Sequence, residues 1–272
     1  MVRADVNDTT LEYAVTGTGE PVICIHGAFI ADTFQPLLAE PCLLSRYQLI
    51  TYHRRGYGGS SRAPGLTTID HQAADCRALL AHVGVERVHV VGHSFGGIVA
   101  LQLALHAPAV VHSLALIEPG LMVGASAEAY REALAQGGRR FREVGAAVVV
   151  DDFLEARCPG YRERLDRLLP GAFAQAVADA VTWFASELPA QLAWRFALEE
   201  ARQIAQPVLS VLGGESEALW DRFGETHRWI LDALPHAEGT VLPGTTHFPQ
   251  IERPRSLAEA LTAFFARHPL ST

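Results

Sequence analysis

The chain has 272 residues, 49% of them hydrophobic, and a formal net charge of −8 from 30 acidic and 22 basic side chains. That size and apolar content fit one large globular domain with room for an insertion, and the even spread of charge leaves no basic stripe for nucleic acid or an anionic membrane. All 22 bases are arginine, so without lysine there is no Schiff base, no pyridoxal phosphate anchor and no phosphate-cradling lysine loop. The first segment, "MVRADVNDTT", lacks the apolar stretch of a signal peptide, and no run approaches the roughly 18 apolar residues of a membrane span. Cys24, Cys42, Cys76 and Cys158 have no metal spacing and are expected as reduced thiols in a cytoplasmic protein. "TTLEYAVTG" then alternates like a strand, "TGTGE" makes a turn, and "PVICIHG" is an apolar run too short for a helix.

"YQLITY" (47–52) is another short strand, "TTIDHQAADCRALLAHVG" (67–84) carries apolar positions at helical spacing, and "VHVVGH" is again a strand. "FGGIVALQLALHAP" predicts a buried helix stopped by Pro108, and "VHSLALIEP" a strand; later "QPVLSVLGG", "GTVLPG" and "RSLAEALTAFFARH" give strand, strand and helix. Apolar strands alternating with helices describe an α/β fold, a mostly parallel sheet covered on both faces. Between Pro119 and about Gln203 no strand is convincing, and "AEAYREALAQ", "YRERLDRLL" and "AFAQAVADAVTWFASELPA" are helical. An insertion there lies at the carboxyl ends of the strands, where open α/β sheets bind ligands, and is expected to form a lid. The alternative is a packing subdomain with no access to a site.

"VVGHSFGG" (90–97) places Ser94 in a Gly-x-Ser-x-Gly pattern where a strand turns into a helix. Such a turn strains the serine backbone, lifts its hydroxyl above the strand ends, and needs glycine on both sides to avoid collisions. Ser94 is therefore the candidate nucleophile. Among 12 histidines, His247 in the polar loop "LPGTTHFPQIERP" after the last strand is the candidate base. The backbone amides of Ala28 in "CIHGAF" and of Phe95 are candidate oxyanion donors, the latter at a helix N-terminus with its positive dipole end, and His26 would brace the loop.

With "HGAF", "YHRRGYGGSS", "GHSFGG" and "GTTHF" in this order, the chain resembles the α/β-hydrolase superfamily over nearly its whole length, as a serine esterase or lactonase type. The resemblance implies an eight-stranded, mostly parallel sheet with the second strand antiparallel, helices on both faces, and a helical cap inserted after strand six. It divides the chain into a core of residues 1–119 and 204–272 and a cap of residues 120–203, and it gives Ser94, His247, Ala28 and Phe95 the roles named above. The triad acid departs from the common pattern. Most relatives have an aspartate shortly after the glycine ending strand seven, whereas this chain has "VLSVLGGESEALW", offering Glu215 and Glu217. Glu118, in "LALIEPG" 24 positions after Ser94, is the alternative, with a spacing similar to that of haloalkane dehalogenases and zearalenone-type lactone hydrolases. A carboxylate ending an apolar strand is costly to bury unless strongly partnered, and an imidazolium is such a partner, so Glu118 is preferred.

In the insertion Phe173, Trp183, Phe184, Trp194 and Phe196 suit an apolar pocket wall. Aromatic residues at helical spacing mostly pack, so one or two are expected to reach substrate, Trp183 first. The expected activity is hydrolysis of a carboxylic ester or lactone of a moderately sized apolar molecule through an acyl-enzyme, with no cofactor or metal. Serine at 94 argues against dehalogenase and epoxide hydrolase chemistry, which in this fold depends on an aspartate nucleophile. A carbon-carbon bond hydrolase acting on a diketone would use the same triad, and a ligand-binding receptor with a slow or silent triad is the rival from another class. The expected partner is a small molecule, with no nucleic acid or membrane; the pattern does not indicate a homo-oligomer.

Overall fold

The computed structural model describes residues 1–62 and 65–270. Eight short extended segments carry the architecture: β1 (Val2–Val6), β2 (Thr9–Thr16), β3 (Glu20–Ile25), β4 (Tyr47–Tyr52), β5 (Val88–His93), β6 (Val111–Ile117), β7 (Val208–Gly213) and β8 (Ala237–Leu242). They pair in one sheet in the order β1-β2-β4-β3-β5-β6-β7-β8. β2 is antiparallel to both β1 and β4, and every other pair is parallel. Seven of these strands follow runs recognisable in the sequence. β1 does not: "VRADV" is short and exposes Val2, Arg3 and Asp5 at the sheet edge, so it carries little apolar signal.

Alternation along the central strands sends side chains to two faces. Val90, Leu114 and Leu116 pack on one side with Leu79, Leu80, Ile98 and Leu101, from the helices Ile69–Val83 and Phe95–His106. Val91, Ala115 and Ile117 pack on the other with Leu257, Leu261, Phe264 and Phe265, from the helix Pro254–Arg267. Covering both faces is what allows β5 to be buried along its entire length. A helix not anticipated from the sequence, Arg222–Ala233, connects β7 to β8.

Between β6 and β7 the regular elements are all helical: Ala127–Val144, Ala146–Glu155, Tyr161–Leu168 and Ala172–Thr182, a π-helical turn Trp183–Glu187, then Leu188–Ala193 and Leu198–Ala201. The wide turn at Trp183–Glu187 matters because it aims two side chains at the sheet. Trp183 meets Phe95 and Phe29, with ring centroids 5.5 and 5.8 Å away. Glu187, wholly buried, forms an ion pair with the buried Arg54 and accepts hydrogen bonds from Tyr57 Oη (2.6 Å) and Gln72 Nε2 (2.7 Å). Buried charges persist when each is partnered in this way.

Candidate active site

Five non-glycine residues have positive φ, among the described residues. Asn7 and Asp8 form the turn between β1 and β2; the other three, Phe29, Ser94 and Glu118, lie at the carboxyl ends of β3, β5 and β6. Each is held in a conformation that costs an L-residue about 1–2 kcal/mol, and their clustering beyond the ends of three adjacent strands makes this end of the sheet the candidate site.

Ser94 joins β5 to the helix Phe95–His106 with φ 52° and ψ −116°, and its side chain makes no capping hydrogen bond to that helix. Its N–H donates to Ile117 O and its carbonyl accepts from Gly97 N and Gly120 N, each at 3.0 Å. The turn is therefore clamped to the end of β6 on both sides of Glu118. Residues 91–93 and 95–100 are buried, whereas Ser94 keeps part of its surface open. Close backbone approach explains the glycines: a Cβ at Gly92 would lie 2.6 Å from Gly96 O, and one at Gly96 would lie 2.1 Å from Ile25 O. Since backbone atoms cannot yield, Gly96→Ala is expected to lower stability by about 3 kcal/mol, measurable as a lower urea midpoint at unchanged slope; wild-type stability would refute the crowding.

Glu118 and His247 meet here. Glu118 continues β6 through its N–H, which donates to Val211 O at 3.1 Å, and is only 4% exposed. Its Oε1 accepts the Gly213 N–H (2.7 Å) and its Oε2 accepts from His247 Nδ1 (2.7 Å). That contact fixes the histidine tautomer, leaving Nε2 as the basic nitrogen. Burial raises the Glu118 carboxyl to about 7 against the hydrogen bond from Gly213 N–H, and burial with the positive charge of Arg157 and Arg222 holds His247 well below its ordinary value. The His247 loop is locked by Glu215 N–H to Thr245 O (2.9 Å), Gly214 N–H to Leu242 O (2.9 Å) and Thr246 N–H to the Glu252 carboxylate (2.6 Å). His93, beside Ser94, donates from Nε2 to His247 O at 2.8 Å, which ties the His247 loop to the serine turn.

Of the alternative acids, neither approaches the histidine. Glu217 is exposed and pairs with Arg228 at 2.8 Å, and Glu215 is exposed and takes part through its backbone amide. The reason is geometric: β7 ends at Gly213, and the next turn carries both side chains outward while β6 points Glu118 inward.

Gly27 lies so close to the serine turn that a Cβ there would sit 3.0 Å from Ser94 Cβ, so the loop after β3 that carries Ala28 packs directly against residue 94. Phe95 is the first residue of its helix, so its N–H has no partner within the helix. His26 accepts the Arg54 N–H at Nε2 (3.0 Å) and so donates from Nδ1 to Gly27 O (2.8 Å). Arg54 adds bonds from Nε to His26 O (3.0 Å) and from Nη2 to Gly27 O (2.8 Å), tying the loop to Glu187 of the helical insertion. The sequence pointed to the bracing histidine and gave no sign of the arginine.

A cavity of about 460 Å³ opens among the inserted helices, walled by Leu134, Phe153, Arg157, Trp183, Phe184 and Trp220. Of the five aromatic residues singled out in the insertion, Trp183 and Phe184 line this cavity. Trp194 does not line this cavity: it stacks on Phe196 at 5.2 Å, donates from Nε1 to Gln102 (2.6 Å), and borders a separate cavity of about 170 Å³ with Met122 and Arg131. Phe173 packs under the Arg162 guanidinium, 3.3 Å from its ring centroid, and is likewise outside it. Helical periodicity shows that such residues pack and leaves undecided against which neighbour. Sequence reasoning also missed Tyr130, Arg157, Gln191 and Arg222 around Ser94 and His247. Gln191 Nε2 donates to Gly120 O (2.7 Å) and to Tyr130 Oη (3.3 Å), fastening the insertion to the Ser94 turn.

This sheet order, with helices on both faces and a helical insertion between β6 and β7, is the architecture of the α/β-hydrolase fold. The chain belongs to the α/β-hydrolase fold family, whose sequence model matches residues 20–254. Among curated proteins, the dihydrolipoyllysine-residue acetyltransferase component of the acetoin cleaving system of Cupriavidus necator is 32% identical over 263 residues, 92% of this chain. The chain spans 65% of that relative's length, just under two-thirds. Among solved structures, the enol-lactonase from Burkholderia xenovorans matches with a TM-score of 0.85 at 22% identity, covering 97% of this chain and 100% of that one. A thermophilic esterase from Thermogutta terrifontis matches with a TM-score of 0.82 at 22% identity, covering 99% and 100%. At that identity the two structures show a shared fold.

Proposed function

We propose that the chain is a cofactor-independent serine hydrolase that cleaves a carboxylic ester or lactone through an acyl-enzyme. The observation that carries this reading is the 2.7 Å bond from His247 to the buried Glu118, made beside a serine held in a strained turn. Ser94 Oγ attacks the carbonyl carbon and passes its proton to His247 Nε2, while the carbonyl electrons form an oxyanion held by the Ala28 and Phe95 amides. Collapse expels the alkoxide, which takes the proton from His247. Water, activated by the same imidazole, then releases the acid and restores Ser94. Glu118 holds the tautomer and stabilises the imidazolium.

Residues 120–203 act as the cap in this reading, with Trp183, Phe184 and Phe153 presenting an apolar wall to the substrate. Trp183 in particular packs on both Phe29 and Phe95, next to the proposed oxyanion donors. The four cysteines are unpaired, which favours a reducing compartment such as the cytoplasm.

The test is turnover of a 4-nitrophenyl short-chain ester, with a burst of 4-nitrophenol followed by steady release. Tight ester binding without release contradicts the proposal and supports a receptor. The pH profile is a second check. Glu118 must be ionised to hold the imidazolium, and its carboxyl is raised to about 7. Activity is therefore present above that value and lost as pH falls through it, about tenfold per unit, with the midpoint belonging to the Glu118–His247 pair. A kcat/KM that stays flat from pH 8 to pH 5 would contradict this role.

A further inference from the structure

A buried arginine with unpartnered nitrogens lies beside this site. Arg222, at the start of the helix Arg222–Ala233, is 3% exposed, and its Nε and Nη2 have no hydrogen-bond partner. Its guanidinium carbon lies 3.7 Å from the ring centroid of Tyr130 and 4.6 Å from that of Phe223, whose ring packs 5.1 Å from the His247 ring. Arg157 lines the cavity with its guanidinium carbon 3.5 Å from the Phe153 centroid, and its backbone carbonyl accepts the His247 N–H at 3.3 Å. Burial, with repulsion from Arg222, pushes Arg157 down to about 10.

The other two buried arginines are matched: Arg54 pairs with Glu187 and Arg55 with Asp75, whereas Arg222 is buried and Arg157 half-buried. Arg157 and Arg222 have no ion pair among the described residues. The carboxylate at this end of the sheet, Glu118, is occupied by His247 and Gly213. Arg222 thus holds its charge in an apolar surround with Nε and Nη2 unpartnered, which is costly unless a ligand supplies the anion; Arg157, partly exposed on the cavity wall beside the Arg140–Asp152 pair, donates from Nη1 to Phe153 O at 3.1 Å. The free atoms of Arg222 are also the informative ones, because Nε–H and Nη2–H form the parallel fork that grips a carboxylate by both oxygens.

We propose that Arg157 and Arg222 form an anion subsite, and that the substrate is an ester or lactone bearing its own free carboxylate, seated on these guanidiniums while its carbonyl meets Ser94. The proposal rests on the serine-hydrolase reading above and narrows its substrate class. Trp220 lines the cavity and also meets the Arg222 guanidinium, 5.4 Å from its ring centroid, so the carboxylate reaches the fork by displacing this ring. The net charge of −8 gives anions no general attraction to the protein, so a preference for an anionic ester has to arise locally.

The experiment compares kcat/KM for 4-nitrophenyl hemiglutarate with that for 4-nitrophenyl pentanoate, in which a methyl group replaces the carboxylate. Wild-type protein is expected to favour the hemiglutarate at least tenfold. Arg222→Gln and Arg157→Gln are each expected to reduce that ratio at least tenfold, mainly through KM, and Arg222→Lys to restore part of it. A ratio is independent of how much of a variant is folded. A wild-type preference for pentanoate, or a ratio unchanged in both glutamine variants, overturns the proposal. So does inorganic phosphate altering pentanoate turnover with no hemiglutarate preference, since the charge would then serve a free anion. Glutarate binding to Ser94→Ala, followed by tryptophan emission from Trp220, separates the two readings. Binding that is lost in Ser94→Ala/Arg222→Gln upholds the subsite even if the serine chemistry fails. Absent binding rejects the subsite and leaves the serine chemistry standing.

Discussion

Replacing Ser94 by alanine is expected to lower kcat for ester hydrolysis by about a millionfold, equivalent to about 8 kcal/mol of transition-state stabilisation. The size of the loss follows from what the other groups can do without it. In the proposed mechanism His247 would remain as base and the Ala28 and Phe95 amides as oxyanion donors, but no covalent intermediate could form. Water attack assisted by those groups would account for the small residual rate. Alanine can occupy the same strained backbone, and the clamps from Ile117, Gly97 and Gly120 use only main-chain atoms of residue 94, so the variant is expected to fold and to bind substrate with little change in affinity. Steady-state kinetics beside a circular dichroism spectrum check both halves of this expectation. A loss below tenfold would mean that another group carries out the attack.

Glu118→Gln is the second large effect, with an expected fall in kcat of about ten-thousandfold. Glutamine fits the same space and can accept from either the Gly213 amide or His247 Nδ1. Its amide can also donate, which favours the wrong imidazole tautomer and gives no charge to oppose the imidazolium formed when Ser94 loses its proton. KM should change little, because Glu118 lies behind the histidine. Glu217→Gln, at the position where relatives more often carry the acid, is expected to stay within about twofold of wild type, since removing an exposed pair with Arg228 is worth little. Equal losses in the two variants, or a larger loss at Glu217, would reassign the triad acid.

Much of this was legible in the chain. Apolar runs bounded by turns located β3 to β7, because strands covered on both faces are largely hydrophobic; β8, an edge strand with only Leu242 buried, was marked by its short apolar run and flanking glycines. The Gly-x-Ser-x-Gly turn was recognisable because backbone crowding at Gly92 and Gly96 excludes any side chain. Glu118 could be preferred over Glu215 and Glu217 because a carboxylate closing an apolar strand demands a partner, and the partner is found at 2.7 Å. Other features depend on long-range contacts that no local pattern encodes. The helix Arg222–Ala233 spreads its buried residues Phe223, Ile230 and Ala233 among polar ones. Nothing in its sequence marks Arg222 as buried, and surface arginines look the same. The same holds for Trp194 and Phe173, whose helical spacing gave a buried face without saying which neighbour would cover it, and for Arg54, which joins the His26–Gly27 loop to Glu187 across 133 positions of sequence.

The covalent step is the centre of the proposed mechanism, and it can be observed directly by mass. Protein treated with an organophosphate ester carrying a 4-nitrophenol leaving group, such as diethyl 4-nitrophenyl phosphate, should gain one diethylphosphoryl group as one equivalent of nitrophenol is released. Peptide mapping should place that group on Ser94, and Ser94→Ala should remain unmodified under the same conditions. No adduct, an adduct on another residue, or equal labelling of Ser94→Ala would contradict a nucleophilic role for Ser94.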